Sequence, residues 1–255
     1  MSENHGTMNA GNLRLVRWLT CLMFFTFAMT TDAVGSVIPL LIDEHGLSMT
    51  AASAFQYATM GGIAAGALLL GFLADRIGRK LTIILGLALY GLSSLLVAAS
   101  GSYFALVGLL AASGLGISVF KTGALALIGD ITPSSGAHTR LMNTVEGYFA
   151  VGAIAGPAIV GLLIHAGMSW QWLYVIAAVI CAGLVFMATN AQYPTTTARV
   201  ERPDWHEMLR VLRDPAALGF SLLVMFYVAV EVAVYVWMPT YLQRYEGSHG
   251  WIVVW

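Results

Sequence analysis

Charge is what this sequence has least of. Asp, Glu, Lys and Arg make up 10% of its 255 residues, against about 25% in soluble domains. A chain with so few charges cannot present its whole surface to water. Nor is there an excess of one sign: the formal net charge is -1, which excludes bulk attraction to nucleic acid. Cysteine is scarce too. Cys21 and Cys181 both fall in apolar runs, where a lone cysteine behaves as a small buried hydrophobe rather than half of a disulfide. There is no CxxC and no HExxH, so the usual zinc spacings are missing and no metal or other cofactor is expected. His5, His45, His138, His165, His206 and His249 lie in loops or at the ends of apolar runs, which leaves no histidine base at depth for an enzyme.

What the chain has instead is apolar length: 58% of its residues are hydrophobic. A membrane-spanning helix needs about 20 mostly apolar residues. Seven stretches qualify: Val16 to Leu41, Thr50 to Ala74, Leu81 to Ala99, Tyr103 to Ile131, Asn143 to His165, Met168 to Ala188 and Ala216 to Leu242. None alternates polar and apolar residues as barrel strands do, so the fold class is an all-α membrane protein. The first run is too long for a signal-peptide core and lacks a small-residue cleavage site, so it reads as a retained span.

Basic residues orient the spans. With the N-terminus in the cytoplasm, Arg14, Arg17, Arg76, Arg79, Lys80, Arg140, Arg199, Arg202, Arg210 and Arg213 all fall inside, and only Arg244 falls outside. A cell-membrane protein with a cytoplasmic N-terminus is expected. Three segments follow: a six-helix half over 1–190, a cytoplasmic linker over 191–214, and residues 215–255 as the first span of an incomplete second half. In the linker, Asp204 and Glu207 have capping-box spacing, and Trp205, Met208, Leu209 and Leu212 share a face, which predicts a short amphipathic helix. Asp214 and Pro215 suit the cap and first turn of the seventh span.

Spans two and five look like copies. "GGIAAGALLLG" carries Gly62, Gly66 and Gly71, and "VGAIAGPAIVG" carries Gly152, Gly156 and Gly161, at an offset of 90 (Gly62 to Gly152). That offset also lays span three on span six, and Asp32 of span one beside Lys121 of span four. Two three-span repeats started from one side have inverted topology, a transporter construction.

The stretch "GFLADRIGRKLTI" resembles the signature loop between spans two and three of the major facilitator superfamily, in Gly71, Asp75, Arg76, Gly78, Arg79 and Lys80. Asp75 can pair with Arg79. In the family this loop helps control opening. "FYVAVEVAVYVWMPTYLQ" and "NTVEGYFAVGAIAGP" resemble the seventh and fifth spans of its fucose and glucose permease branch. The resemblance implies a secondary transporter of a sugar or related polar metabolite, driven by H+. It also implies twelve spans, of which this chain shows the first six and the seventh. Either a missing second half or self-association is expected to cover the inner face.

Asp32, Lys121, Glu146 and Glu231 stand at membrane depth. Each costs roughly 2.5–3.5 kcal/mol there, together about 10 kcal/mol, so they are expected to face a cavity or one another rather than the lipid bilayer. The resemblance puts spans one, four and seven on the central cavity, which carry Asp32, Lys121 and Glu231. Lys121 is expected there, paired with Asp32 or Glu146. Tyr227 and Trp237, with Tyr57 and Tyr148, are candidates to stack on a sugar ring. Gly152, Gly156 and Pro157 are assigned to helix packing. Other readings are an efflux-type facilitator for another small molecule, or an inactive truncated chain. A membrane enzyme is a weaker rival, since Gly116-Ile117-Ser118 only faintly resembles an intramembrane protease elbow, and nothing repeats as a channel filter or charge ring.

Overall fold

In the computed structural model, residues 9–194 and 213–246 are described. The linker helix expected from Asp204 lies outside them. Nine helices form in chain order among the described residues: α1 (Ala10–Thr31), α2 (Val34–His45), α3 (Met49–Leu70), α4 (Leu73–Ile77), α5 (Arg79–Ala99), α6 (Tyr103–Ile131), α7 (Ser135–His165), α8 (Trp172–Asn190) and α9 (Pro215–Glu246). Seven stretches among them are long and apolar enough to cross a membrane, with α1 and α2 making one between them. The seven expected spans are all present.

Helix starts follow local chemistry. Ser48 accepts from the Ala51 amide at 3.2 Å and Ser134 from the Ala137 amide at 3.3 Å, each satisfying an orphan donor of the first turn. Asp214 accepts from the Ala216 amide at 2.9 Å, as its cap role requires. Span five starts earlier than expected, at Ser135 instead of Asn143. Its first two turns are polar, and a hydropathy window ignores them.

Span one is broken. No proline or glycine explains the interruption at Asp32–Ala33. Side-chain hydroxyls gather on the turn before it, in the run "TFAMTTD". Thr30 and Thr31 both turn their hydroxyls back onto the Phe27 carbonyl, at 3.2 and 3.0 Å, and Tyr90 donates to the Thr26 carbonyl at 2.9 Å. Such back-bonding bends helices. Asp32 caps α1, and its amide still bonds the Ala28 carbonyl.

Helices pair in a crossed pattern: α3 packs on α6 and α7 on α1, while α5 packs on α6 and α8 and α8 also touches α1. The copied glycines set the first two contacts. A Cβ at Gly62 would lie 2.1 Å from the Ala111 carbonyl, and one at Gly152 2.2 Å from that of Phe25. One turn on, Gly66 abuts Ser118 and Gly156 abuts the Met29 carbonyl. These helices touch backbone to backbone, as small residues permit in membranes. The internal repeat is thus visible as packing. Its register differs from the expected one. Ala111 answers to Phe25, an offset of 86, so Asp32 corresponds to Ser118 and not to Lys121. The chain from span four to span five is one helical turn longer than that from span one to span two.

The core holds Phe24, Phe27, Leu87, Tyr90 and Phe120 toward one end and Phe55, Leu106, Leu173 and Tyr174 toward the other. α9 stands apart. It touches the bundle chiefly through α2, and its residues Leu218 to Val230 are exposed.

Candidate functional site

Proline and glycine place α9 against α2. Pro239 removes the hydrogen bond that would reach the Tyr235 carbonyl. That carbonyl faces Gly35, where an added Cβ would lie 2.0 Å from it. Around the contact, Val34, Ile38, Ala52 and Val236 are buried, with Trp237 packed against them. Gln56 of α3 donates to the Tyr235 hydroxyl at 2.9 Å. The Gln56 Oε1 and Thr240 Oγ1 atoms are buried there without a partner.

On the other side of this contact, α7 and α9 flank a cleft of about 690 Å³. Asp32 enters it from the break between α1 and α2, and Glu231 from α9, with Ser36 and Tyr235 as further polar walls. Phe149, Ile154, Pro157, Val234 and Met238 supply apolar wall. Two carboxylates thus line one cavity, and the Asp32 Oδ2 atom is buried without a hydrogen-bond partner. An arrangement of this kind can exchange a proton or hold a cationic group, since like charges at one site resist joint ionisation.

Lys121 is elsewhere. Its ammonium stands over the rings of Phe27 at 5.1 Å and Phe24 at 5.5 Å. It lines neither this cleft nor the cavity between α1 and α7. Phe24 and Phe27 precede Asp32 by five to eight residues, about 8–12 Å along a helix, which separates the ammonium from that carboxylate. Among the described residues Lys121 forms no ion pair within 4.0 Å. The expected pairing with Asp32 or Glu146 is therefore replaced by cation–π contact. Glu146 and Tyr227 are exposed, and Trp237 is a packing residue of the α2–α9 contact. Pro157 lines the cleft, so it does more than pack helices.

The motif loop is clamped to its own half. Gly78 has φ of +87°, a conformation that glycine adopts at little cost, and it turns the chain between α4 and α5. Arg79 then donates to Asp75 at 2.6 Å, to Asp130 at the end of α6 at 2.9 Å, and to the Ala74 carbonyl at 2.9 Å. Lys80 donates to the carbonyls of Thr189 and Ala191 at 2.7 and 2.9 Å, where α8 ends and cations are favoured. Gly71 ends span two, and Arg76 is exposed. Asp130 and Tyr235 were not singled out from sequence. The signal for Asp130 was an acid at the same end of the bundle as a cluster of three bases.

Comparison with known proteins gives a consistent family. Residues 20–255 match the profile of the Major Facilitator Superfamily. The chain is similar to the uncharacterized MFS-type transporter EfpA of Mycobacterium tuberculosis, 28% identical over 196 residues, covering 76% of this chain and 37% of that one. It is similar to the putative multidrug resistance protein MdtD of Pectobacterium carotovorum, 26% identical over 219 residues, 84% and 46%. In fold it is similar to a D-xylose-proton symporter, with a TM-score of 0.67 at 15% identity, covering 94% of this chain and 64% of that one. The chain spans less than half the length of these curated relatives.

Proposed function

The chain belongs to the Major Facilitator Superfamily, and on that premise we propose that it is part of a secondary active transporter for a small solute, coupled to H+. The observation that carries the reading is the shared cleft: Asp32, at the broken span one, and Glu231, on span seven, line one cavity between two bundles. The first bundle is the six spans from α1 to α8, and α9 opens the second. Alternating access rocks the bundles about this cleft. The α2–α9 contact and the Gln56–Tyr235 bond close one end of it.

Asp32 takes up the proton and Glu231 senses its charge. One proton moving through about 100 mV supplies about 2.3 kcal/mol, enough for roughly 50-fold accumulation. Arg79, held between Asp75 and Asp130, fixes the motif loop on the cytoplasmic rim, with Arg76 free to meet the other bundle. Lys121, Glu146 and Tyr227 lie outside this cleft, and Lys121 holds its charge over the Phe24 and Phe27 rings in the core of the first bundle.

The resemblance to sugar permeases makes a sugar the first solute to try, and the symporter of similar fold supports that choice. The apolar wall of Phe149, Ile154, Val234 and Met238 facing two acids favours a second reading: export of an amphipathic cation, in keeping with the multidrug relative. A site rich in apolar surface with a few polar groups orients such a ligand. Proteoliposomes with an imposed proton gradient decide between them, using labelled xylose in one arm and a lipophilic cation in the other. Asp32→Asn abolishes gradient-driven movement and spares exchange in whichever arm is active. Unchanged accumulation in the variant sinks the coupling role.

A further inference from the structure

A second cavity lies apart from the Asp32 cleft. α1 and α7 run parallel, held by Gly152 and Gly156, and both begin at the end of the bundle that carries the motif loop. There they border an open cavity of about 460 Å³ lined by the half-buried Arg17 and Tyr148, the exposed Trp18, Arg140 and Thr144, and Leu141. Among the described residues no acidic side chain lines it. Among the described residues neither Arg17 nor Arg140 has an ion-pair partner within 4.0 Å.

Arginines at a span end are ordinarily orientation anchors whose heads snorkel into water or headgroups. Arg17 departs from that pattern. Its Nε is buried and has no hydrogen-bond partner, although guanidinium donors lose much by burial without an acceptor. Beside it Trp18 and Tyr148 meet edge to face, centroids 5.6 Å apart at 83°, which makes an aromatic wall. Two planar, permanently charged forks and an aromatic wall around an acid-free cavity match one ligand chemistry: an oxyanion attached to an apolar or flat body.

We propose that the Arg17–Arg140 cavity is a binding site for a carboxylate- or phosphate-bearing amphiphile, with the oxyanion held by both guanidinium groups and its body against Trp18 and Tyr148. A soluble organic anion and an anionic lipid headgroup share this chemistry. The site is distinct from the Asp32 cleft, which presents acids, and it stands whether or not that cleft carries the transported solute.

The test uses protein extracted from its own membrane and placed in discs of phosphatidylcholine, titrated with phenyl phosphate by calorimetry. Saturable binding is expected. Arg17→Gln or Arg140→Gln weakens it by roughly tenfold or more each, as loss of a charge-assisted hydrogen bond implies, and Arg→Lys falls between. Arg14→Gln, at an exposed arginine outside the cavity, leaves it unchanged. A second arm repeats the titration in discs containing phosphatidylglycerol, with native mass spectrometry. If a lipid is the occupant, phosphatidylglycerol competes with phenyl phosphate and stays bound to wild type but not to the Arg17→Gln Arg140→Gln double variant. If a soluble anion is the occupant, affinity is the same in both discs and no lipid is retained. Absence of binding in both arms, or binding that the double variant keeps, overturns the proposal.

Discussion

Gly35 sits directly beneath the main-chain carbonyl of Tyr235, so close that a methyl group there would lie 2.0 Å from the oxygen. The proline four residues on, Pro239, is what leaves that carbonyl without its helical partner. One glycine and one proline, on spans one and seven, fix where α9 meets α2.

Gly35→Leu is therefore expected to separate α9 from α2. Overpacking costs about 1–3 kcal/mol in well-packed cores, and here the obstacle is backbone, which cannot rotate away. A disulfide engineered across the α2–α9 contact should form in wild type and fail in the variant. Efficient cross-linking in Gly35→Leu would show that the contact tolerates bulk.

The same logic separates two kinds of glycine on α7. Gly156→Ala meets the Met29 carbonyl at 2.0 Å, while nothing lies within 4 Å of a Cβ at Gly147. Thermal unfolding in detergent should show a large loss for Gly156→Ala, and none or a slight gain for Gly147→Ala, since alanine is the better helix former. Equal effects at both sites would remove the packing explanation for the repeated glycines.

Seven spans were legible because apolar length is a coarse signal that survives any packing. The repeated glycines were legible too, and the structure gives them their reason in the α3–α6 and α7–α1 contacts. The break at Asp32 was not, because no proline or glycine stands at it and the hydroxyls gathered on the turn before it include one from a helix about 60 residues away. The placing of Lys121 failed for a related cause. It rested on the rule that span four lines the cavity, and that rule does not say which face of the helix each residue takes. The pairing of Gln56 with Tyr235 depends on a rotation of α9 that hydropathy does not encode.

That pairing gives a third prediction. Tyr235→Phe leaves the part-buried Gln56 amide without its acceptor, a loss of about 1–3 kcal/mol. The bond closes one end of the cleft, so the variant should spend more time open there. A cysteine at Val234 should then be modified faster by a water-soluble thiol reagent. Gln56→Leu combined with Tyr235→Phe should restore the slow rate, because no donor is stranded. A double variant as fast as the single one would deny the latch.

Arg79 bridges two acids with different nitrogens, Nη1 to Asp75 and Nε to Asp130. A lysine ends in a single nitrogen and cannot place donors at both the Nη1 and the Nε positions. Arg79→Lys should therefore behave like Asp130→Asn. A double-mutant cycle on thermal stability should show coupling between Arg79 and Asp130 of about 1 kcal/mol or less, as expected of partly exposed pairs. Additive losses would mean that the bridge contributes nothing.

The central claim is that the cleft holding Asp32 and Glu231 is an aqueous path opened to one side of the membrane at a time. Ala153, on its α7 wall, is the place to test it. With Cys21 and Cys181 replaced by serine, Ala153→Cys is exposed to a membrane-impermeant thiol reagent added to one side of sealed vesicles, and then to the other, under proton gradients of both directions. The account predicts reaction from one side at a time, with the reactive side switching as the gradient reverses. A cysteine that reacts only with lipid-soluble reagents, whichever way the gradient points, would mean that the cleft faces the bilayer and would contradict the account.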